Sequence, residues 1–236
     1  MRIAVVGLRK KFLEKTLIKA GFRLVKKKPN MVISFGGDGT ALLAERLYPG
    51  VPRLMIKHSR DCKDCNKHDF SKIMEVLKKR RFKVVKEIKV EGVVNKDERK
   101  RLVGLNEISI HHKIPTKTVT FKVKVNGKII ARSAKGDGLI VSTPYGSGAY
   151  FYSVCKRRFS KGLGIAFNNC RERLKKCRVV DENSIIEVEI LKDKGLLVAD
   201  NNPVMIPLKE GDRIRIRKAR EFARIIEIDG KRRIKI

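Results

Sequence analysis

The chain has 236 residues, of which 42% are hydrophobic and 35% charged, so it can bury a core and we expect a folded globular protein. Its 57 Lys and Arg outnumber 25 Asp and Glu, and the formal charge of +32 favours anionic partners. No apolar run approaches the roughly 18 residues of a membrane span, and the N-terminus has the pattern of a strand and not that of a signal peptide, so we expect a soluble cytoplasmic protein without a membrane partner.

The first third of the chain alternates strands and helices. The predicted strands are residues 2–7, 23–25, 31–35 and 53–56, and the predicted helices are 11–20, 41–47 and 70–81. These strands are apolar along their whole length, which is typical of a parallel sheet with helices on both faces. We therefore predict an N-terminal Rossmann-like α/β domain over residues 1–81.

From residue 82 onward the pattern changes to alternation of apolar and polar residues, which indicates strands with one buried face. Asn126-Gly127 between two such strands is a strong hairpin signal. No helical pattern of any length follows Tyr150. We predict an antiparallel, β-sandwich-like, dinucleotide-binding domain over residues 82–236, and we consider that its C-terminal end packs back on the first domain.

A glycine-rich turn, FGGDGT, follows the predicted strand at 31–35. Gly36, Gly37 and Gly39 let the backbone turn sharply before a helix, where exposed N–H groups and the helix N-terminus favour phosphate. Asp38 would repel phosphate unless it accepts a proton from a nucleophilic hydroxyl or holds a Mg²⁺ ion. The alternative is a structural turn with Asp38 as the helix N-cap.

Two further polar segments interrupt apolar strands. Asn106-Glu107 is predicted inside a strand, where an amide beside a carboxylate can read the edge of an adenine. Asp137 and Ser142 flank the strand 139–141, and Tyr150 follows in a glycine-rich turn. An acid, hydroxyls and an aromatic ring together can bind a nucleoside, although a plain turn cluster with a buried Tyr is the alternative.

Five cysteines without a secretory signal favour reduced thiols over disulfides. One loop, KHSRDCKDCNKH, offers His58, Cys62, Cys65 and His68 as a tetrahedral zinc set, and two unligated thiols on a polar loop are the alternative. Short basic runs with only 6% aromatic residues, which do not interleave with them, predict only non-specific contact with nucleic acid.

The order of these motifs, GGDGT, then Asn-Glu, then Asp-Gly followed by Thr-Pro-x-Gly-Ser-x-Ala-Tyr, resembles the NAD kinase family over most of the chain. The chain is similar to a divergent member of archaeal type. The resemblance implies transfer of the terminal phosphoryl group of ATP or polyphosphate to the 2′-hydroxyl of the adenosine ribose of NAD. It also implies a divalent cation such as Mg²⁺, NAD and ATP as ligands, and a homo-oligomer.

The resemblance also assigns the site residues. Asp38 is implied as the catalytic acid, with a phosphate-binding turn made of Gly36, Gly37, Gly39 and Thr40. The dinucleotide is implied to contact Asn106, Glu107 and Asp137. The wall around its adenosine is implied to comprise Ser142, Ala149, Tyr150 and Ser153.

The chain departs from the family pattern in the dinucleotide pocket. Gly148 stands where a Thr is usual, residues 154–157 replace Ala-Gly-Gly-Pro, and Asn201 replaces the Gly after Asp200. These changes keep two alternatives open. One is a kinase of the same fold that phosphorylates another hydroxylated small molecule, such as a nucleoside, sugar or polyol. The other is a non-catalytic nucleotide-binding protein.

Overall fold

The computed structural model describes residues 1–8, 10–57, 66–67, 70–171, 176–230 and 232–235. The chain divides into two compact units. The first comprises Met1–Glu87 together with Phe222–Ile236, and the second comprises Ile88–Glu221. The sequence pattern placed its border a few residues earlier, after residue 81.

The first unit is an α/β structure. Its elements in chain order are β1 (Arg2–Val6), α1 (Lys10–Lys19), β2 (Arg23–Leu24), β3 (Met31–Phe35), α2 (Asp38–Leu47), β4 (Arg53–Lys57), β5 (Asn66–Lys67) and α3 (Phe70–Lys78). Strands pair in the order β2, β1, β3, β4, all parallel, which confirms the predicted parallel sheet. The core contains Ile3, Ile33 and Leu54 from strands, with Leu13 and Leu17 from α1 at helical spacing.

The remaining elements are mostly strands. They are β6 (Lys83–Val94), β7 (Asp97–Gly104), β8 (Glu107–His112), β9 (Val119–Val125), β10 (Lys128–Gly136), β11 (Gly138–Ser142), a 3₁₀ turn (Tyr145–Gly148), α4 (Tyr150–Cys155), β12 (Leu163–Asn168), β13 (Cys177–Val180), β14 (Ile186–Lys192), β15 (Gly195–Ala199), β16 (Ile206–Leu208), β17 (Arg213–Glu227) and β18 (Arg233–Lys235). The end of β17 and the whole of β18 lie within Phe222–Ile236 and therefore belong to the first unit, where they pair in parallel with β4.

Two antiparallel layers build the second unit. One is a six-stranded sheet in the order β13, β12, β11, β8, β15, β16, and the other contains β10, β9, β14 and β17. Buried residues of both layers, among them Ile108, Leu139, Phe121 and Val188, form one core. The predicted β-sandwich-like architecture is therefore confirmed.

The hairpin between β9 and β10 is also confirmed. Lys128 pairs with Val125, so the loop contains only Asn126 and Gly127. Both have positive φ, 48° and 79°, as a type I′ turn requires.

Two expectations were wrong. Cys155 and Cys177 form a disulfide, because the end of α4 lies beside the start of β13, a spatial proximity that cysteine counting cannot detect. A helix of six residues, α4, starts at Tyr150, where no helical pattern was found, because a helix so short shows less than two turns of periodicity.

The predicted zinc ligands His58, Cys62, Cys65 and His68 lie outside the described residues. Within the described ranges no group of three or more His, Cys, Asp or Glu could hold a metal ion. In the same ranges no helix is long and apolar enough to cross a membrane.

Candidate functional site

The glycine-rich turn of the first unit joins β3 to α2. Gly37 is the N-cap of α2, without a side-chain capping bond, and Asp38 is the first helical residue. The alternative of Asp38 as N-cap was therefore wrong. A carboxylate in the first helical turn is stabilised by the N–H groups that point out of the helix end.

Asp38 has a basic neighbour that the sequence did not reveal. Lys57, at the end of β4, places its Nζ 3.2 Å from Oδ1 of Asp38. The two meet because β3 and β4 are adjacent, with Phe35 opposite Ile56. Asp38 is 57% exposed and Lys57 16%, so the carboxylate is the more accessible partner of the pair.

The turn is tight around its first glycine. Gly36 has φ of +151°, and a Cβ there would lie 2.6 Å from Oγ1 of Thr40. Thr40 lies in the first turn of α2 and donates its N–H to the carbonyl of Gly37 at 3.1 Å. Gly37 and Gly39 are exposed. The main chain here is open to an anion, as a phosphate-binding turn requires.

In the second unit, Asn106 and Glu107 stand at the start of β8. Only Glu107 belongs to the strand, so the prediction of both residues inside it was wrong: Asn106 sits in the preceding bend. Glu107 is 8% exposed, and its buried Oε2 has no hydrogen-bond partner in the part of the chain that the structure describes. A buried carboxyl oxygen without a hydrogen-bond partner costs folding free energy, and a bound ligand can supply the missing hydrogen bond.

Glu107 is held by a residue that the sequence did not assign to the site. The carboxylate of Asp200 accepts hydrogen bonds from the N–H groups of Leu105, Asn106 and Glu107 at 2.7, 2.8 and 3.0 Å. Burial, and then the negative charge of Asp200, raise the pKa of Glu107 to about 8. The Glu107 carboxyl is therefore protonated at neutral pH and can donate a hydrogen bond.

Burial also raises the pKa of Asp200, whereas its three N–H donors and the charge of Lys89 oppose that shift. Three N–H groups donate to the Asp200 carboxylate, whereas Oε2 of Glu107 has no hydrogen-bond partner among the described residues, so Asp200 carries the negative charge of the pair. Asp200 thus accepts hydrogen bonds from the main chain, and Glu107 can donate its proton to a ligand.

Ser142 lies opposite Glu107 in the β8–β11 ladder and is fully buried. Its hydroxyl donates to the carbonyls of Asn106 and Thr143, at 3.2 and 3.1 Å. The hydroxyl proton is engaged, so Ser142 can offer a ligand only its oxygen lone pairs.

Asp137 stands at the other end of the same ladder, next to the Gly138–His111 pair, and is five residues from Ser142, the partner of Glu107, which is roughly 16 Å along the strand. It is half-exposed, Asn169 donates to its Oδ2 at 3.2 Å, and Nδ1 of His112 lies 3.8 Å from its Oδ1. A Cβ at Gly138, whose φ is +151°, would lie 1.7 Å from the carbonyl oxygen of Ile110, so this strand start requires glycine.

Tyr150 begins α4 and is held on two sides. Nδ2 of Asn168 donates to its hydroxyl at 2.9 Å, and its ring stacks on His111 with centroids 5.6 Å apart. Burial, then Asp137 and Glu107, raise the pKa of Tyr150. Burial lowers the pKa of His111, whose Nε2 lies 3.0 Å from Oγ of Ser109. His111 is a further residue that the sequence did not assign to the site.

The last two predicted residues flank Tyr150. Ala149 is the exposed N-cap residue of α4, and Ser153 donates its hydroxyl to the carbonyl of Tyr150 at 2.7 Å. The structure thus gathers the predicted residues of the second unit around the β8–β11 ladder and α4, and those of the first unit around the β3–α2 turn.

Comparison with known proteins identifies relatives of the chain. The sequence profile of the ATP-NAD kinase C-terminal domain matches residues 105–228. A bifunctional NADP phosphatase/NAD kinase from Methanococcus maripaludis is 30% identical over 209 residues, covering 84% of this chain and 37% of that protein. An NAD kinase from Sulfurisphaera tokodaii is 28% identical over 237 residues, covering 93% of this chain and 92% of that protein.

Solved structures share the fold. An NAD kinase from Archaeoglobus fulgidus in complex with ATP superposes with a TM-score of 0.74 at 22% identity, covering 95% of this chain and 92% of that one. A yeast NADH kinase complexed with NADH superposes with a TM-score of 0.82 at 15% identity, covering 98% of this chain and 84% of that one.

Proposed function

The chain belongs to the NAD kinase family, and on that premise we propose that it transfers the terminal phosphoryl group of ATP or polyphosphate to the 2′-hydroxyl of the adenosine ribose of NAD, giving NADP. The observation that carries the proposal is Asp38, an exposed carboxylate at a helix N-terminus inside a glycine-rich turn, with Lys57 at 3.2 Å. Among the two named relatives, the Sulfurisphaera protein spans nearly the same length as this chain.

Asp38 would accept the proton of the attacking hydroxyl as the bond to phosphorus forms and the nucleoside diphosphate, or shortened polyphosphate, leaves. Lys57 and the helix N-terminus would hold the phosphate oxygens, assisted by the main chain at Gly36, Gly37 and Gly39 and by the Thr40 side chain. The exposed oxygens of Asp38 also fit Mg²⁺, which when bound would neutralise phosphate charge.

The second unit would bind the dinucleotide. The protonated Glu107 would donate to an acceptor on the base and Asn106 would read the neighbouring group, while Asp137 would accept from ribose hydroxyls. The Tyr150 ring would contact a planar group. Ser142, Ala149 and Ser153 would line the adenosine, with the two hydroxyls acting as acceptors because their protons are already engaged.

The test is a phosphorylation assay on the purified chain with ATP and Mg²⁺, in which NADP is measured by an NADP-specific dehydrogenase. We expect NADP from NAD. Parallel reactions with polyphosphate as donor and NADH as acceptor identify the substrates. Light scattering on the same sample measures the proposed homo-oligomer.

One observation favours a second candidate, a kinase with another hydroxylated acceptor. A Cβ at Gly148 would lie 3.2 Å from Nε of Arg158, so a guanidinium occupies the space beside the position where the family pattern has Thr. An acceptor with an additional anionic group would suit that cation. ATP consumption with such an acceptor and none with NAD would support it. Salt-sensitive oligonucleotide binding without any phosphoryl transfer would instead indicate a non-catalytic binding protein.

A further inference from the structure

We propose that Asp200 is a positioning residue of the NAD site: it fixes the main chain of residues 105–107 so that the side chains of Asn106 and Glu107 are committed to the dinucleotide. The inference rests on the proposed function. Asp200 lies 93 positions after Glu107 in the chain. Its side chain contacts the main chain of the site.

The N–H groups of the segment all point at one carboxylate. Oδ2 of Asp200 accepts from Leu105 at 2.7 Å, and Oδ1 accepts from Asn106 at 2.8 Å and Glu107 at 3.0 Å. Three consecutive main-chain donors on one ionised acceptor form a nest, and hydrogen bonds to a charged acceptor are about twice as strong as neutral ones. The nest fixes the path of the segment as it enters β8.

The carbonyl groups of the same segment are held as well. Thr143 donates its hydroxyl to Leu105 at 2.6 Å and its N–H to Asn106 at 2.8 Å. The N–H of Asp200 itself donates to the carbonyl of Glu107 at 3.1 Å. Every main-chain donor and acceptor of residues 105–107 is therefore paired within the protein, on both sides of the segment.

Two backbone features bring the carboxylate into place. Asp200 has φ of +47°, a left-handed conformation that Asp tolerates better than most residues. A Cβ at Gly104 would lie 2.3 Å from the carbonyl oxygen of Glu107 and 2.9 Å from Oδ1 of Asp200, so the approach requires glycine at position 104. Asp200 thus combines a left-handed main chain with three hydrogen bonds from its carboxylate to a segment 93 to 95 positions earlier in the sequence.

The Glu107 carboxyl is therefore available to a ligand. Oε2 of Glu107 is buried and has no hydrogen-bond partner among the described residues, although the main chain of residues 105–107 is fully paired. The charged or titratable groups that act on Glu107 and its partner are Asp200, Tyr150 and Lys89. A dinucleotide that presents an acceptor to Glu107 would complete this pairing, and Asp200 ensures that the carboxyl is already in position.

The experiment compares Asp200→Asn and Asp200→Ala with the wild type, measuring NAD affinity by calorimetry and kcat and KM by NADP formation. The Asn amide can replace one oxygen and loses the acceptor for Leu105, so we expect KM and Kd for NAD to rise on the order of tenfold with a smaller change in kcat. The Ala variant loses all three acceptors, and we expect a larger increase in Kd.

A pH profile distinguishes positioning from general stability. In the wild type, NAD affinity should fall as the pH rises through about 8, when Glu107 loses the proton that it donates. Asn at position 200 removes the adjacent negative charge, so this fall should move to lower pH. The control is Asp212→Asn, a buried acid of the same unit that accepts from Lys209 and Asn95, which should lower stability and leave NAD affinity and its pH profile unchanged.

A measurement on the unmodified protein covers the case in which the variants do not fold. Hydrogen exchange should show the amides of Leu105, Asn106 and Glu107 strongly protected before NAD is added. Fast exchange there, or an Asp200→Asn variant that binds NAD like the Asp212→Asn control, would overturn the proposal. A wild type that neither binds nor phosphorylates NAD would instead overturn the proposed function, so the two failures are distinguishable.

Discussion

The two units place their carboxyl groups in opposite environments. Asp38 in the first unit is 57% exposed and paired with a lysine. Glu107 in the second unit is 8% exposed, and one of its oxygens has no hydrogen-bond partner within the described ranges. An exposed acid on a helix N-terminus suits proton transfer and cation binding, because water and ions can reach it. A buried, protonated acid suits discrimination, because a ligand without a matching group leaves it unsatisfied.

The largest expected effect tests the exposed acid. Asp38→Asn keeps the shape of the side chain and removes the proton acceptor, so kcat for NADP formation should fall about 10³-fold with an unchanged circular dichroism spectrum. The matched control is Asp229→Asn, an exposed acid of the same unit whose Oδ2 lies 3.5 Å from Nζ of Lys72. Equal activities of the two variants would remove Asp38 from the mechanism.

Burial of Glu107 should make the free energy of unfolding depend on pH. The pKa of Glu107 rises from 4.5 to about 8 on folding, so its stabilising contribution is complete below pH 4.5 and is lost as the pH rises through about 8. At about 1.4 kcal/mol per pH unit, the wild type should lose roughly 3 to 4 kcal/mol between pH 5 and pH 8 relative to Glu107→Gln. Urea unfolding at several pH values measures this difference in unfolding free energy. If the unfolding free energies of the two proteins depend on pH in the same way, Glu107 is not a buried acid.

The disulfide belongs to the second unit and ties α4, which carries Tyr150, to β13. It closes a loop with a sequence separation of 22, so replacing Cys155 and Cys177 with Ser should cost about 3 kcal/mol of unfolding free energy. Cys170→Ser, at a cysteine of the same unit outside the disulfide, is the control. A thermal midpoint that does not respond to reductant would show that the bond is not formed in the protein.

The smallest effect concerns the wall of the second site. Tyr150→Phe removes the acceptor of the Asn168 hydrogen bond and should cost about 1 kcal/mol in stability. Tyr152→Phe, on the exposed side of the same helix, should cost less, as measured in the same urea titration. Equal losses would mean that the Asn168 contact does not hold the ring.

Local signals in the sequence were sufficient for much of the fold. The parallel strands were recognised because they are apolar throughout, and the β9–β10 hairpin because Asn-Gly tolerates positive φ at both positions. The glycine turn with Asp38 is also recognisable from the sequence, because the residues that define it are consecutive. The order of three such motifs then indicated the family.

Contacts between distant residues could not be read in this way. Asp200 meets Leu105 across 95 positions, and Cys155 meets Cys177 only because α4 lies beside β13. Lys57 contacts Asp38 because β3 and β4 pair. The ring of His111 in β8 stacks on the ring of Tyr150 in α4. None of these pairs leaves a periodic or spacing signal, because each depends on how the strands are arranged in three dimensions.

The proposed function requires this chain to phosphorylate one hydroxyl of NAD, the 2′-hydroxyl of its adenosine ribose. The most direct measurement is ³¹P NMR of the product formed from ATP, Mg²⁺ and NAD, with NAD that lacks the adenosine 2′-hydroxyl as the paired control. We expect a new phosphomonoester on the adenosine 2′-oxygen and no transfer to the deoxy control. Transfer at another oxygen, equal consumption of the deoxy compound, or ATP turnover without a phosphorylated dinucleotide would contradict it.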